Sequence, residues 1–156
     1  MTAPSSLNRI DRKILKILQD DGRISYAELA RRVGLSTTPC IERVKKMEKS
    51  GLIKKYAAIV DPQQLGAGLI VFVQIRLDRT SAQTFSEFKQ AVADLDEVQE
   101  CHLVTGSFDY LIKARVRDMN DYRGFLGGSL MQLPGVQEST SYPVMEVVAE
   151  RRSALI

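Results

Sequence analysis

The residues best equipped for chemistry lie between Ser36 and Lys49. Ser36, Thr37 and Thr38 place three hydroxyls at the start of a segment that continues through Glu42, Arg43, Lys45, Lys46 and Lys49. Hydroxyls bond base edges or phosphate oxygens, and Lys and Arg suit phosphate, so the set matches a nucleic-acid polyanion. At roughly 100° per residue on a helix, Thr38, Glu42, Lys45 and Lys49 share the outward face. Thr37, Arg43 and Lys46 flank it, while Cys40, Val44 and Met47 point inward. An ordinary solvated surface helix would carry a similar face. Charge distribution favours the polyanion: residues 1–60 hold thirteen Lys or Arg against six Asp or Glu, a net +7, whereas the remaining residues total −4 within an overall +3. A basic end joined to an acidic body is the footprint of a nucleic-acid-binding head on a different kind of module.

A second candidate is the turn around Gly106, Ser107 and Asp109. The Asp109 carboxylate suits the ammonium of an amino acid, and backbone amides near Gly106 suit its carboxylate. Gly and Asp also make a plain hairpin turn, and the residues alone leave both readings open. His102, the single histidine, has no nucleophile or carboxylate partner suggested by spacing. Cys40 and Cys101 fall in different units at positions that read as buried. No Cys/His cluster, Gly-rich phosphate loop or nucleophile–base pair is present, so no metal, cofactor or catalytic activity is expected.

The elements that must hold the first candidate are helices. Ser25 and Glu28 have capping-box spacing ahead of a stripe of Leu29, Ala30 and Val33, with Ala27 and Ala30 small enough for a close crossing. Gly34 stops that helix and turns the chain, Ser36 stands ready to cap the next, and Pro39 is tolerated in its first turn. Upstream, Ile10, Ile14, Leu15, Ile17 and Leu18 keep helical spacing between the start signals Asn8 and Asp11 and a stop at Gly22. The result is a three-helix head with a helix-turn-helix. Ile53–Val60 reads as extended, and Asp61-Pro62 through Gly68 as a linker.

Beyond Gly68 the period becomes two. Leu69, Val71, Val73, Ile75 and Leu77 share one face of a strand whose other face carries Ile70 and Phe72 before turning polar at Gln74 and Arg76. A helix through Phe85, Phe88, Val92 and Leu95 follows a Thr80/Ser81 start. Val98–Val104 and Tyr110–Val116 form a hairpin, Tyr122 to Leu133 a helical stripe ended by Pro134-Gly135, and Val136–Ala149 a last strand. The order βαββαβ is ferredoxin-like and the class α+β. The expected domains are 1–60, a linker at 61–68, and 69–156. Two helices cover one face of such a sheet, leaving Ile70 and Phe72 to be buried by a second subunit, as in regulators that read two-fold DNA sites. No apolar stretch has membrane-spanning or signal-peptide length, and a cytoplasmic location is expected.

Ile10-Asp11, Gly22-Arg23-Ile24-Ser25, Leu29-Ala30-Arg31-Arg32-Val33-Gly34-Leu35-Ser36, Arg43-Val44, Gly51-Leu52-Ile53, Gly106-Ser107-Phe108-Asp109-Tyr110-Leu111 and Leu133-Pro134-Gly135-Val136 together resemble the Lrp/AsnC, or feast/famine, regulators over nearly the whole chain. The resemblance implies a winged helix-turn-helix at Tyr26–Lys45 that binds double-stranded DNA, and an αβ-sandwich effector domain, called RAM. It also implies homodimers that assemble into tetramers or octamers, and amino-acid effectors such as leucine or methionine bound in clefts between subunits. The family's cleft maps onto Gly106, Ser107 and Asp109, with Met119, Tyr142 and Val144 nearby. Pro143, at a strand position, and Gly124, Gly127 and Gly128, inside a helix, depart from the family's pattern. Two other readings compete: an architectural protein that coats DNA without an effector, and an amino-acid-binding module or enzyme subunit whose head contacts protein.

Overall fold

The computed structural model describes residues 7–78 and 81–150; Thr80 lies outside them. The described residues divide into two compact units, one holding residues 7–59 together with Ala149 and Glu150, the other Val60–Val148.

The first unit contains α1 (Arg9–Asp20), α2 (Tyr26–Val33) and α3 (Thr37–Lys49). Asn8 caps α1 by accepting the Asp11 N–H at 2.8 Å. The helix ends at Asp20, before Gly22, and the Asp21 N–H closes its last turn onto Ile17. Gly22 serves a different purpose: a Cβ there would stand 3.2 Å from the Tyr56 ring. The Ser25 hydroxyl accepts the Glu28 N–H at 3.2 Å, but the expected reciprocal bond is absent because the Glu28 carboxylate turns along the helix to Arg31 and Arg32 at 2.7–2.8 Å. Gly34 takes the left-handed conformation, φ +77°, which costs an L-residue about 1–2 kcal/mol and glycine almost nothing. Ser36 occupies the N-cap position of α3, yet its side chain makes no capping bond. The core is Ile14, Leu15, Leu29, Ala30, Val33, Cys40, Val44 and Met47, so α2 and α3 bury the faces their spacing indicated. Ala27 is exposed, leaving Ala30 alone at the close crossing. Lys54–Val60 forms no strand, since an extended segment without a neighbour in its own chain has nothing to pair with.

The second unit is a four-stranded antiparallel sheet in the order β2-β3-β1-β4. Its strands are β1 (Leu69–Leu77), β2 (Val98–Leu103), β3 (Tyr110–Val116) and β4 (Val136–Pro143), and its helices α4 (Ala82–Ala93) and α5 (Met119–Gly128). Val71, Val73, Ile75 and Leu77 of β1 and Tyr110, Ile112, Ala114 and Val116 of β3 face inward and pack with Phe88, Val92, Tyr122, Phe125 and Leu130. Tyr110 stacks on Phe88 with ring centroids 4.3 Å apart.

Three expectations for this unit change. Helix α5 stops at Gly128, and Ser129 redirects the chain into a 3-10 turn, Leu130–Gln132, that sinks Leu130 fully into the core; consecutive glycines make this the weakest point of the helix. β4 ends at Pro143 rather than running to Ala149. It is an edge strand, where proline is tolerated, and the Val144 N–H adds a further ladder bond, to Ile70 at 2.9 Å. Ile70 is buried, whereas Phe72 stays exposed. The cross-strand partner of Ile70, Arg115, donates to the Ala67 carbonyl at 3.3 Å.

Candidate nucleic-acid interface and effector turn

On α3 the side chains of Thr37, Thr38, Glu42, Lys45, Lys46 and Lys49 are exposed, and so is Ser36, whose hydroxyl is free of helix duty. Gly34 and the α2–α3 crossing set the helix so that Cys40, Val44 and Met47 anchor it while its polar face looks outward. Arg43 differs. Its guanidinium turns back onto α1 and donates to the Asp11 carboxylate at 2.9 Å, so this predicted site residue works as a brace and its charge is already matched. Glu28 similarly holds Arg31 and Arg32, and their hydrogen bonds draw its pKa from 4.5 down to about 2. The Tyr56 hydroxyl donates to Glu48 at 2.9 Å; burial, then the neighbouring Glu48 carboxylate, pushes Tyr56 up to about 12. That bond pins the segment after α3 to the helix itself.

At the β2–β3 turn, Gly106 has φ +142°, a conformation that favours glycine. Asp109 is heavily engaged: its carboxylate accepts the Leu77 N–H at 2.8 Å, and its own N–H donates to Ile75 at 2.9 Å while its carbonyl receives the Val104 N–H. The Ser107 carbonyl accepts from Arg76 Nε and Nη2 at 3.2 and 3.0 Å, and Arg76 Nη1 sits 3.0 Å from Glu138. Gly106, Ser107 and Asp109 are therefore together. Met119, Tyr142 and Val144 are not with them. Tyr142 pairs with Phe72, toward the start of β1, whereas the turn adjoins Ile75–Leu77 at its end; Met119 follows the far end of β3. At ~3.3 Å per residue, the three residues from Phe72 to Ile75 put Tyr142 about 10 Å along the strand from the turn, and the length of β3 puts Met119 about 20 Å away. Cys101 is half-buried, and burial pushes its thiol up to about 11, which makes it a poor nucleophile. Among the described residues no cluster of His, Cys, Asp or Glu could hold a metal ion, and no helix is long and apolar enough to cross a membrane.

Residues 7–54 match the winged helix-turn-helix DNA-binding model, and residues 70–154 match that of the Lrp/AsnC ligand binding domain. The chain belongs to the Lrp/AsnC family. It is 53% identical over 150 residues to the leucine-responsive regulatory protein of Klebsiella pneumoniae, covering 96% of this chain and 92% of that one; the Escherichia coli K12 protein of the same name matches equally. Among solved structures, the Neisseria meningitidis transcriptional regulator in its L-Met complex superposes with a TM-score of 0.91 at 34% identity, covering 96% of this chain and 97% of the other. An AsnC family regulator from Agrobacterium tumefaciens gives 0.91 at 35% identity over 95% and 96%. As a member of the Lrp/AsnC family, the chain is a DNA-binding transcriptional regulator with an amino-acid-binding domain.

Sequence reasoning missed Arg76 and Glu138 at the turn and Asp11 beside Arg43. Arg76 had one signal: a cation opposite polar positions on a strand that is otherwise apolar. Asp11 and Arg43 lie 32 residues apart, and neither spacing nor period links them.

Proposed function

We propose that this Lrp/AsnC regulator reads DNA through the exposed face of α3 and that L-leucine or L-methionine adjusts its occupancy. Thr38, Glu42 and the hydroxyls of Ser36 and Thr37 meet base edges or phosphates in the major groove, while Lys45, Lys46 and Lys49 take phosphates. The observation that carries this reading is that all seven side chains are exposed on a helix whose other face is fully anchored. Arg43 is omitted from the contact set because Asp11 holds it.

The effector cleft is assigned to the Gly106, Ser107 and Asp109 turn, on the strength of the match to the ligand binding domain and the relative solved with L-Met. Met119 and Val144 lie toward the opposite end of the sheet and Tyr142 midway along it, so they contribute only if a neighbouring subunit brings its own copies to the turn. Assembly into dimers and then tetramers or octamers supplies such neighbours. Exposed Phe72, Leu103 and Tyr142 on the sheet unit, and Leu52, Tyr56 and Ile59 in the head, provide apolar surface for these contacts. Effector and DNA are then coupled through the free energy of assembly.

DNase footprinting on the chain's own promoter region, repeated with millimolar L-leucine or L-methionine alongside light scattering, tests the proposal. The expected result is a small set of protected sites whose occupancy and protein mass change together with ligand. Uniform protection of unrelated DNA, unchanged by either amino acid, supports the architectural alternative instead.

A further inference from the structure

The Arg76–Glu138 pair adjoins the effector turn and spans β1 and β4. Arg76 Nε and Nη2 both donate to the Ser107 carbonyl, and Nη1 faces Glu138. Three of the five guanidinium N–H donors are thereby occupied and two remain. Both side chains are half-exposed, 50% and 58%, so a solute can reach them. The ladder between β1 and β4 shifts register at Arg76/Leu77, the kind of bulge that re-aims side chains next to sites. Among the described residues the backbone N–H groups of Thr105, Gly106, Ser107 and Phe108 donate to no protein acceptor, and Gly106 leaves open space where a Cβ would stand. One oxygen of Asp109 accepts the Leu77 N–H, which ties that carboxylate to the end of β1.

We propose that Arg76 and Glu138 recognise the two charges of an amino-acid effector, Arg76 and the open turn amides receiving its carboxylate and Glu138 its ammonium. This rests on the effector reading above and reassigns the ammonium from Asp109 to Glu138. An ordinary surface ion pair contributes little because its side chains must be immobilised. Here the guanidinium is already fixed by the Ser107 carbonyl, so less ordering remains to be done when ligand arrives. Opposite charges 3.0 Å apart are separated like those of an α-amino acid, so its carboxylate meets the two remaining guanidinium donors while its ammonium meets Glu138.

Calorimetric titration of the full-length chain provides the test, with L-methionine, L-methioninamide and 4-(methylsulfanyl)butanoate as probes; the last two lack the carboxylate charge and the ammonium, respectively. If the unsubstituted protein prefers L-leucine, leucinamide and 4-methylpentanoate take their places. It should bind the amino acid at least about tenfold tighter than either analogue, as expected for losing a charge-assisted bond. Arg76→Gln should weaken the amino acid by about tenfold and abolish the preference over the amide only. Glu138→Gln should abolish the preference over the des-amino acid only. Circular dichroism checks folding, and Glu138→Gln alone decides the matter if Arg76→Gln does not fold. Undiminished affinity in the variants, or equal losses for all three probes, overturns this assignment while leaving the effector reading intact. Absence of binding of both L-methionine and L-leucine to the unsubstituted chain overturns the two together.

Discussion

Asp11 and Arg43 form an ion pair at 2.9 Å between the first and third helices of the head. It ties the helix assigned to DNA to the helix that supports it, and it is partly sheltered, with Asp11 only 19% exposed at its side chain. Asp11→Ala and Arg43→Ala should each destabilise the head, and the double variant should cost less than the sum. A coupling of about 1 kcal/mol is expected for a partly exposed charge-assisted pair, read from urea unfolding followed by circular dichroism. Additive losses would show that the pair contributes nothing.

Glu28 supplies a pH prediction. Its folded pKa, about 2, lies below the ordinary 4.5 because Arg31 and Arg32 stabilise the carboxylate. A depressed carboxylate contributes stability that is present above its unfolded pKa and lost as pH falls through the folded value. The head should therefore lose stability between about pH 4.5 and pH 2, and Glu28→Gln should flatten that limb of the curve. Carbon-13 NMR of the carboxyl group checks the midpoint directly. A Glu28 midpoint near 4.5 would mean that the clamp is not populated in solution.

Asp109→Asn and Asp109→Ala separate two roles for one residue. The carboxylate oxygen that accepts the Leu77 N–H has an amide counterpart in asparagine, so Asn should retain most of the stability. Ala should lose about 1–2 kcal/mol by leaving a partly buried donor unpaired. With amino-acid binding measured on the same samples, Asn should bind ligand close to normally. Equal failure of the two variants to bind, with stability preserved, would instead make the negative charge itself the ligand contact.

Glycines at two places should respond with opposite sign. Gly135 has φ +74°, and a Cβ there would approach Thr84 Cγ2 to 2.5 Å, so Gly135→Ala should be strongly destabilising. Gly124 lies within α5 and a Cβ there meets nothing. Gly124→Ala should raise stability by about 1 kcal/mol through helix propensity. Thermal unfolding of both variants is sufficient, and a destabilised Gly124→Ala would mean that the helix face is in contact with another subunit.

What was legible in the sequence was local or periodic. Asn8, Ser25 and Gly34 announced helix ends because caps and left-handed residues act within a few positions. Val71, Val73 and Ile75 announced the buried sheet face because a strand repeats every two residues. The Ser36 hydroxyl was placed at the right position but without its bond, since cap geometry depends on a rotamer that sequence does not record. The break after Gly128 depended on Leu130 finding the core, a consequence of tertiary packing, as is the burial of Ile70. The charged braces were invisible for the same reason. Asp11 with Arg43, and Arg76 with Ser107, are partners about thirty residues apart, joined only once the fold exists.

The exposed cations of α3 provide the most direct test. Fluorescence anisotropy with a footprinted DNA site should show that Lys45→Glu with Lys46→Glu abolishes specific binding, while Lys89→Glu with Arg123→Glu, an identical charge change on the exposed helices of the sheet unit, alters it by less than about threefold. The salt dependence of the unsubstituted chain should be steep, because each neutralised phosphate releases a counterion. Equal losses from the two pairs would reduce the head to a diffuse electrostatic attraction, and undiminished binding by the α3 variant would remove that helix from the DNA interface altogether.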